Sequence, residues 1–248
     1  MLEVAGAAFW GGIAAAALLL GAAIAMAVRL PDRVLGLVLA FGAGVLMSAV
    51  AYELVEEALQ AELGSPLVAL GFASGAVVFY AGSVLIAGRD HRPASARQGK
   101  EAAGTAQGLQ IVLGAVLDGI PESVVLGASL VGGAGISVPV LVAVLVSNVP
   151  EGIGASADMR AAGTRTRTIM GIWLVVVVAS AVASGLGYAL LRDASPEVVA
   201  TVQTFAAGAI IAMLAESMIP EAYDQGGRAV GLATAFGFAV SALLSFAS

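Results

Sequence analysis

The chain has 248 residues, of which 60% are hydrophobic and only 11% are charged, whereas an ordinary soluble domain carries about 25% charged residues. A globular core cannot hide this much apolar surface, so the composition indicates a membrane protein. The formal net charge of -6 and the lack of a basic patch give no reason to expect nucleic acid as a partner. The absence of cysteine excludes disulfides and thiolate metal sites.

Apolar stretches of about 20 residues can cross a bilayer as helices, and the sequence contains eight of them. They cover residues 6–28, 34–58, 66–87, 107–131, 136–159, 168–191, 197–222 and 228–247. We expect the first run to be a retained span and not a signal peptide, because "MLEVAGAAFW" contains no Lys or Arg. Short polar breaks such as "RLPDR" separate the spans, and a basic loop covers about residues 88–106. The sequence therefore predicts an all-α, polytopic membrane protein with one domain over residues 1–248.

The distribution of basic residues predicts the orientation of these spans. Ten of the eleven basic residues fall in loops on the side opposite the N-terminus, and only Arg192 falls on the N-terminal side. Cytoplasmic loops are enriched in Lys and Arg. We therefore expect both termini to lie outside the cytoplasm and the loop after the third span to be cytoplasmic.

Two spans share a sequence pattern. "FGAGVLMSAVAYELVEEA" (41–58) and "FAAGAIIAMLAESMIPEA" (205–222) have six identical residues at matching offsets. They lie in spans 2 and 7, which cross the membrane in opposite directions. Inverted repeats of this kind occur in many secondary transporters, with the binding site near the midplane at the repeat interface. The pattern predicts an inverted repeat of helices 1–3 and 6–8 around helices 4 and 5.

Acidic residues stand beside prolines in spans 4 and 5, in "VLDGIPESVVLG" (116–127) and "VSNVPEGIGAS" (146–156). Asp118 and Glu122 are four residues apart and share a helix face, and Glu151 lies at a similar depth. An ionisable group there costs about 2.5–3.5 kcal/mol on insertion scales unless it faces a cavity or a partner. Neither span contains Lys or Arg. A bound cation is the simplest neutraliser, and protons are the next simplest.

The prolines point to the same chemistry. Pro121 cannot donate to the carbonyl of Leu117, and Pro150 cannot donate to that of Val146, so each helix frees an oxygen near its acid. Oxygen ligands suit cations such as Mg, Mn, Fe(II) and Zn. The alternative is that Pro and Gly only bend two packed helices whose acids are protonated. The predicted metal ligands are Asp118, Glu122, Ser147, Asn148 and Glu151.

With these motifs, the chain resembles the ZIP (Zrt/Irt-like) family of divalent-metal transporters, as a divergent bacterial-type member. "SNVPEG" is similar to the span-5 motif of the family, "DGIPES" is a looser match, and "ESMIPEA" in span 7 is similar to a recurring family motif. The resemblance implies uptake of a divalent metal by alternating access, in a bacterial inner membrane. It also implies a release route near Glu216 and Glu221.

The departures from the family pattern concern the ligands. Asp118 stands where the family usually has His, Gly119 stands where it has Asn, and Ser147 stands where many members have His or Gln. Span 6 contains no acid, and Ser184 aligns with the glutamate that completes a second metal in many bacterial members. The resemblance therefore implies one metal site, with the second one, at Gly119, Asn148 and Ser184, weakened or lost.

Other functions stay open at this point. A proton-coupled carrier of a small solute would use Asp118 and Glu122 as proton relays, and a membrane sensor or scaffold would bind metal without transporting it. We expect no enzyme, because there is no nucleophile–base set and the only histidine, His91, is in a loop.

The metal is cargo and not a resident cofactor. Zinc follows from the resemblance, whereas the loss of histidine favours Mn(II) or Fe(II). The expected partners are divalent ions and the bilayer, and a homodimer is compatible with the sequence.

Overall fold

The computed structural model describes residues 2–60, 65–87, 119–131 and 135–247. All regular elements within these residues are helices, which confirms the predicted all-α fold. The main helices are α1 (Leu2–Ala27), α2 (Asp32–Ala49), α3 (Ser65–Ala87), α4 (119–128), α5 (Val138–Ala161), α6 (Thr166–Leu191), α7 (Pro196–Met213) and α8 (Val230–Ala247). Two short helices, Glu57–Gln60 and Ile219–Gly226, and the 3-10 turn Gly227–Ala229 lie between them. Asp118 and the predicted loop over about residues 88–106, with His91, lie outside the described residues.

Within the described residues, six helical segments are long and apolar enough to cross a membrane, by length and composition. They are Leu2–Ala27, Asp32–Gln60, Pro66–Leu85, Val138–Ala161, Thr166–Leu191 and Pro196–Phe246. These segments are consistent with an integral membrane protein, because a helix of about 20 apolar residues spans the hydrocarbon core. The predicted count of eight differs in two places: it includes α4, whose described part is too short to span, and it divides Pro196–Phe246 into two.

The segment Pro196–Phe246 folds back on itself. Its first part ends near the start of α2, where Ala222 and Gly226 lie against Gly36. After Gly227, whose φ of 63° is in the left-handed region that favours glycine, α8 runs along α2 in the same direction. The contacts advance from Thr234 beside Gly44 to Phe246 beside Tyr52. The segment of 51 residues is therefore two antiparallel passes along α2.

A π-helical segment directly follows both α2 and α7. These segments are Val50–Glu56 after α2 and Leu214–Met218 after α7. Val50 and Leu214 are separated by the same number of residues as Phe41 and Phe205, so both segments begin at corresponding positions of the sequence repeat. π-Helical segments are rare, so their matching positions give the two helices a shared structural feature.

The packing of α2 and α7 also matches. A Cβ at Gly44 of α2 would overlap the carbonyl of Thr234 in α8. A Cβ at Gly208 of α7, which corresponds to Gly44, would overlap the carbonyl of Phe72 in α3. Small residues allow such close approach of helix backbones in a membrane. Thus α2 packs on α8 as α7 packs on α3.

The facing helices supply the reciprocal contacts. Gly237 of α8 lies against the carbonyl of Phe41, and Gly75 of α3 lies against the carbonyl of Phe205. Phe41 and Phe205 are themselves the first identical pair of the repeat. The same exchange of glycine contacts therefore occurs twice in this half of the molecule.

The helices form two bundles. The first bundle consists of α1, α4, α5 and α6, in which α1 packs along both α5 and α6 and α4 meets α6 where Gly127 approaches Ser184. The second bundle consists of α2, α3, α7 and α8. The two bundles meet mainly where α2 packs on α5, for example where Gly42 approaches Ser147. This division positions the candidate site inside the first bundle.

Candidate functional site

A small cavity lies inside the first bundle, near the middle of its long helices. The centre of a water-sized sphere can occupy a volume of about 10 Å³ in this cavity. The cavity therefore has room for about one water molecule. Its described lining comes from α1, α4, α5 and α6, and the second bundle contributes none of it. The cavity is therefore a feature of one bundle and not of the contact between the two.

Two carboxylates from different helices line this cavity. Glu122 of α4 is only 3% exposed, and Glu151 of α5 is partly buried. Ser123, Asn148 and Ser180 add side-chain oxygens and are also buried. The described lining contains no Lys, Arg or His. The structure thus brings together the two acids that were predicted from separate motifs, in oxygen-rich surroundings that favour a cation.

On α5, Asn148 and Glu151 are one helical turn apart and share the cavity side. Asn148 Nδ2 donates a hydrogen bond to the carbonyl oxygen of Ala14 in α1 at 3.0 Å. Pro150 is buried inside α5, which continues through it as a helix. The carbonyl of Val146, which Pro150 cannot satisfy, lies beside Gly42 of α2 and does not line the cavity. The freed oxygen on this helix is therefore not brought to the site.

Glycines close the wall between α1 and α5. A Cβ at Gly21 would overlap the carbonyl of Val149, and a Cβ at Gly152 would overlap the carbonyl of Leu18. Gly152 directly follows Glu151, so the glycine of "SNVPEG" allows α1 to pass close beside the acid. The motif therefore supplies a side chain to the cavity and also the space for the neighbouring helix.

Ser147 occupies a different position from the one expected of a ligand. It is 1% exposed, and its Oγ donates to the carbonyl of Val144 in the same helix at 3.1 Å. Its backbone lies against Gly42 of α2, and Ser147 is not part of the cavity lining. The structure therefore brings Glu122, Asn148 and Glu151 together but turns Ser147 toward the second bundle.

The serine of α6 at the cavity is Ser180, one turn before the Ser184 that sequence alignment selected. Ser184 Oγ donates to the carbonyl of Ala7 at 2.9 Å, and its side chain packs against Gly11. Ser180 Oγ lies 3.5 Å from the position that a Cβ on Gly119 would take. Ser184 therefore does not belong to the described cavity lining, and this helix contains no acid that could have indicated which serine does.

Sequence reasoning also missed the contribution of α1. Its residues Gly11, Ala14, Ala15 and Leu18 form one wall of the cavity. The available signal was the run "GGIAAAALLL", in which small residues recur on one helix face. Such runs are common in membrane helices, so the pattern alone does not mark a site.

The described residues do not contain a complete cluster of strong metal ligands. No group of three or more His, Cys, Asp or Glu side chains that could hold an ion occurs among them. They supply two carboxylates, one amide and two hydroxyls. Asp118, the third predicted carboxylate, immediately precedes the first described residue of α4 and lies outside the described part of the chain.

Further acids follow α2, on the side of the molecule where α1 begins. Glu53 accepts a hydrogen bond from Ser137 Oγ at 2.7 Å, and the exposed Glu56 accepts one from Gln60 at 3.1 Å. Both acids line an open cavity of about 540 Å³. An acidic mouth of this kind raises the local concentration of cations.

Two further acids, Glu216 and Glu221, follow α7, on the side of the molecule opposite to Glu53 and Glu56. Glu216, in the π-helical segment, accepts a hydrogen bond from Ser83 Oγ of α3 at 2.7 Å. Glu221 accepts one from Gln225 at 3.1 Å and lies beside Gly154 of α5. Glu221 therefore stands where the second bundle faces the helix that carries Glu151.

Comparison with known proteins adds no relative. No protein-family model matches the sequence, and no curated protein sequence matches it. The class that fold and composition define is a helical protein, consistent with an integral membrane protein, whose described part contains six apolar segments of membrane length.

Proposed function

We propose that this chain is a divergent ZIP-type transporter that moves a divalent cation across the membrane through the cavity between Glu122 and Glu151. The observation that carries the proposal is the convergence of these two acids, from two motifs and two helices, on one cavity that α4 and three helices of membrane length enclose. Ionisable side chains at such depth are expensive and generally serve a substrate or ion path. Carboxylate, amide and hydroxyl oxygens suit Mg, Mn, Fe(II) or Zn.

The size of the cavity favours an ion over the alternative organic solute. Its volume of about 10 Å³ admits one water-sized particle. Pockets for drug-sized ligands have volumes of about 300–1,000 Å³. A carrier of an organic molecule would need a much wider site between these helices than the small side chains of α1 leave open.

The architecture supports alternating access between two sides. The matched π-helical segments and the repeated glycine contacts support an inverted repeat with eight crossings, as in many secondary transporters. All described cavity residues belong to the first bundle. Movement of that bundle along α2 would expose the site first to the outer acidic mouth and then to the end near Glu221, which corresponds to uptake.

The proposal is tested by uptake into proteoliposomes, with competition among Zn, Mn, Fe, Cd, Co and Mg. Glu122→Gln and Glu151→Gln keep the side-chain shape and remove the charge, and we expect each to lower metal flux at least about ten-fold. Asp193→Asn is the matched control, because Asp193 is exposed in the turn after α6 and does not line the cavity. Metal flux at the wild-type rate in both glutamate variants would contradict the proposal, and metal binding without flux would favour the sensor.

A further inference from the structure

A larger groove opens on the surface of the second bundle, where α8 meets α2 and the short helix Ile219–Gly226. Its volume is about 790 Å³. Met47, Ile219, Ala235 and Phe238 make most of it apolar. The groove is separate from the cavity of the first bundle and shares no residue with it.

One end of the groove is polar. Arg228 lies there, in the 3-10 turn Gly227–Ala229 immediately before α8, and its side chain is exposed. Among the described residues, Arg228 makes no ion pair. Tyr223, which is 58% exposed, lines the same end. Tyr is enriched at the level of lipid headgroups, so the two residues mark the membrane surface.

The length of the groove corresponds to one leaflet. From Arg228 to Phe238 the chain rises about 15 Å at 1.5 Å per residue, which is about half of the hydrocarbon thickness of about 30 Å. The basic loops place the Arg228 end on the cytoplasmic side. That leaflet carries the anionic lipids that attract basic residues near the surface.

We propose that this groove binds one acyl chain of an anionic phospholipid of the cytoplasmic leaflet, with the lipid phosphate at Arg228. A guanidinium forms strong, charge-assisted hydrogen bonds with phosphate oxygens. A second copy of the chain is a poorer occupant, because a two-fold axis along the membrane normal would bring two Arg228 side chains to the same level of one interface. The inference rests on the placement of the chain in a membrane and does not depend on metal transport.

Two variants separate the headgroup contact from the acyl-chain contact. Arg228→Gln removes the charge and leaves the apolar groove. Gly231→Leu fills the groove, and a Cβ at Gly231 meets no atom within 4 Å, so the packing of α8 is not displaced. The controls are Arg167→Gln, an exposed basic residue in the first turn of α6, and Gly171→Leu, where a Cβ also meets no atom within 4 Å.

The full-length protein is equilibrated in detergent with equal amounts of phosphatidylglycerol and phosphatidylcholine that carry the same acyl chains, and retained lipid is counted by native mass spectrometry. We expect the wild type to retain one phosphatidylglycerol in preference. Arg228→Gln should lower its retention about five-fold and lower that of phosphatidylcholine by less, because the positive choline group already offsets the phosphate charge at Arg228. Gly231→Leu should lower the retention of both lipids, and both controls should behave as wild type.

Three results would overturn the inference. The first is equal retention of the two lipids by the wild type. The second is wild-type retention by both groove variants. The third is a dimer that Gly231→Leu dissociates, since the groove would then be an interface between copies. Metal flux is not part of this measurement, so a failure of the transport proposal would leave its outcome interpretable.

Discussion

Asn148 Nδ2 donates a hydrogen bond to the carbonyl oxygen of Ala14 at 3.0 Å, and this bond joins α5 to α1 at the wall of the cavity. Asn148 is only 5% exposed. An amide carries its nitrogen and its oxygen on different sides, so the bond directs Nδ2 toward α1, and under the proposed function Oδ1 is the atom that would bind the cation. The single asparagine of the sequence thus links the packing of the bundle with the chemistry of the site.

Asn148→Ala should therefore affect both stability and metal binding. Hydrogen bonds between membrane helices contribute about 0.6–2 kcal/mol, and we expect a loss of this size in the free energy of unfolding in detergent. Metal affinity should fall in the same variant. Ser74→Ala is the control, because Ser74 Oγ bonds only the carbonyl of Gly71 in its own helix. Equal stability of Asn148→Ala and the control would show that the bond to Ala14 is unimportant.

Gly152→Ala should destabilise the first bundle. The added Cβ would overlap the backbone of Leu18, and overpacking of this kind typically costs about 1–3 kcal/mol. Gly171→Ala is the matched control, since its Cβ meets no atom within 4 Å and Ala favours a helix over Gly. Thermal unfolding in detergent measures both. A Gly152→Ala variant as stable as the control would mean that α1 and α5 are not held in close contact here.

The wild type should bind one metal ion per chain, and Ser180→Glu should raise this number toward two. Ser180 lines the cavity opposite Gly119, so a carboxylate there adds the ligand that α6 lacks. Ser184→Glu is the informative comparison: Ser184 is 0% exposed and packs against Gly11, so the same charge should lower stability without adding an ion. Elemental analysis of purified protein gives the stoichiometry.

Two outcomes of that experiment would count against the structure of the site. A second ion in the wild type would show that Gly119 and Ser180 do not weaken the second position. A second ion in Ser184→Glu, but not in Ser180→Glu, would show that α6 is rotated or shifted by one turn relative to the described arrangement.

Asp118→His should raise the ratio of Zn to Mn transport. Asp118 precedes Glu122 by one helical turn in the sequence, where the ZIP pattern usually has histidine. Imidazole favours Zn, and carboxylate suits Mn. Neighbouring carboxylates raise one another's proton affinity and must lose protons to bind metal, so the variant should also flatten the acidic limb of the pH profile.

Paired uptake of Zn and Mn between mildly acidic and neutral pH measures both effects for the wild type and Asp118→His. Asp193→Asn serves again as the control for loss of an exposed acid. If the metal ratio and the pH profile are both unchanged, Asp118 is not a ligand.

Cross-linking the two bundles should stop transport. A Cβ at Gly42 would lie 3.1 Å from the Cα of Ser147, which is close enough for a disulfide between Gly42→Cys and Ser147→Cys, and the chain has no other cysteine. We expect metal flux to fall on oxidation and to recover on reduction. The two single variants are the controls, and Ser147→Cys alone also reports whether this hydroxyl matters to the metal. Undiminished flux in the oxidised double variant would argue against movement between the bundles.

The sequence by itself determined the helical architecture and the two central acids. Helix α6 was expected over residues 168–191 and is Thr166–Leu191, and α5 was expected over 136–159 and is Val138–Ala161. Such agreement follows because apolar runs of membrane length must form helices that satisfy their own backbone, and prolines and arginines mark the breaks. Glu122 and Glu151 could be selected because charge in an apolar run is costly and therefore conspicuous.

Only the tertiary structure decided which faces meet. The spacing of residues in one helix defines its faces but carries no information on how that helix is rotated against another. That rotation is determined by backbone contacts at Gly21, Gly127 and Gly152, which bring α1, α4, α5 and α6 around the cavity. For this reason Ser180 and not Ser184 reaches the cavity, while the hydroxyl of Ser147 faces its own helix beside α2. Close packing between helices, which depends on residues far apart in the chain, made these choices.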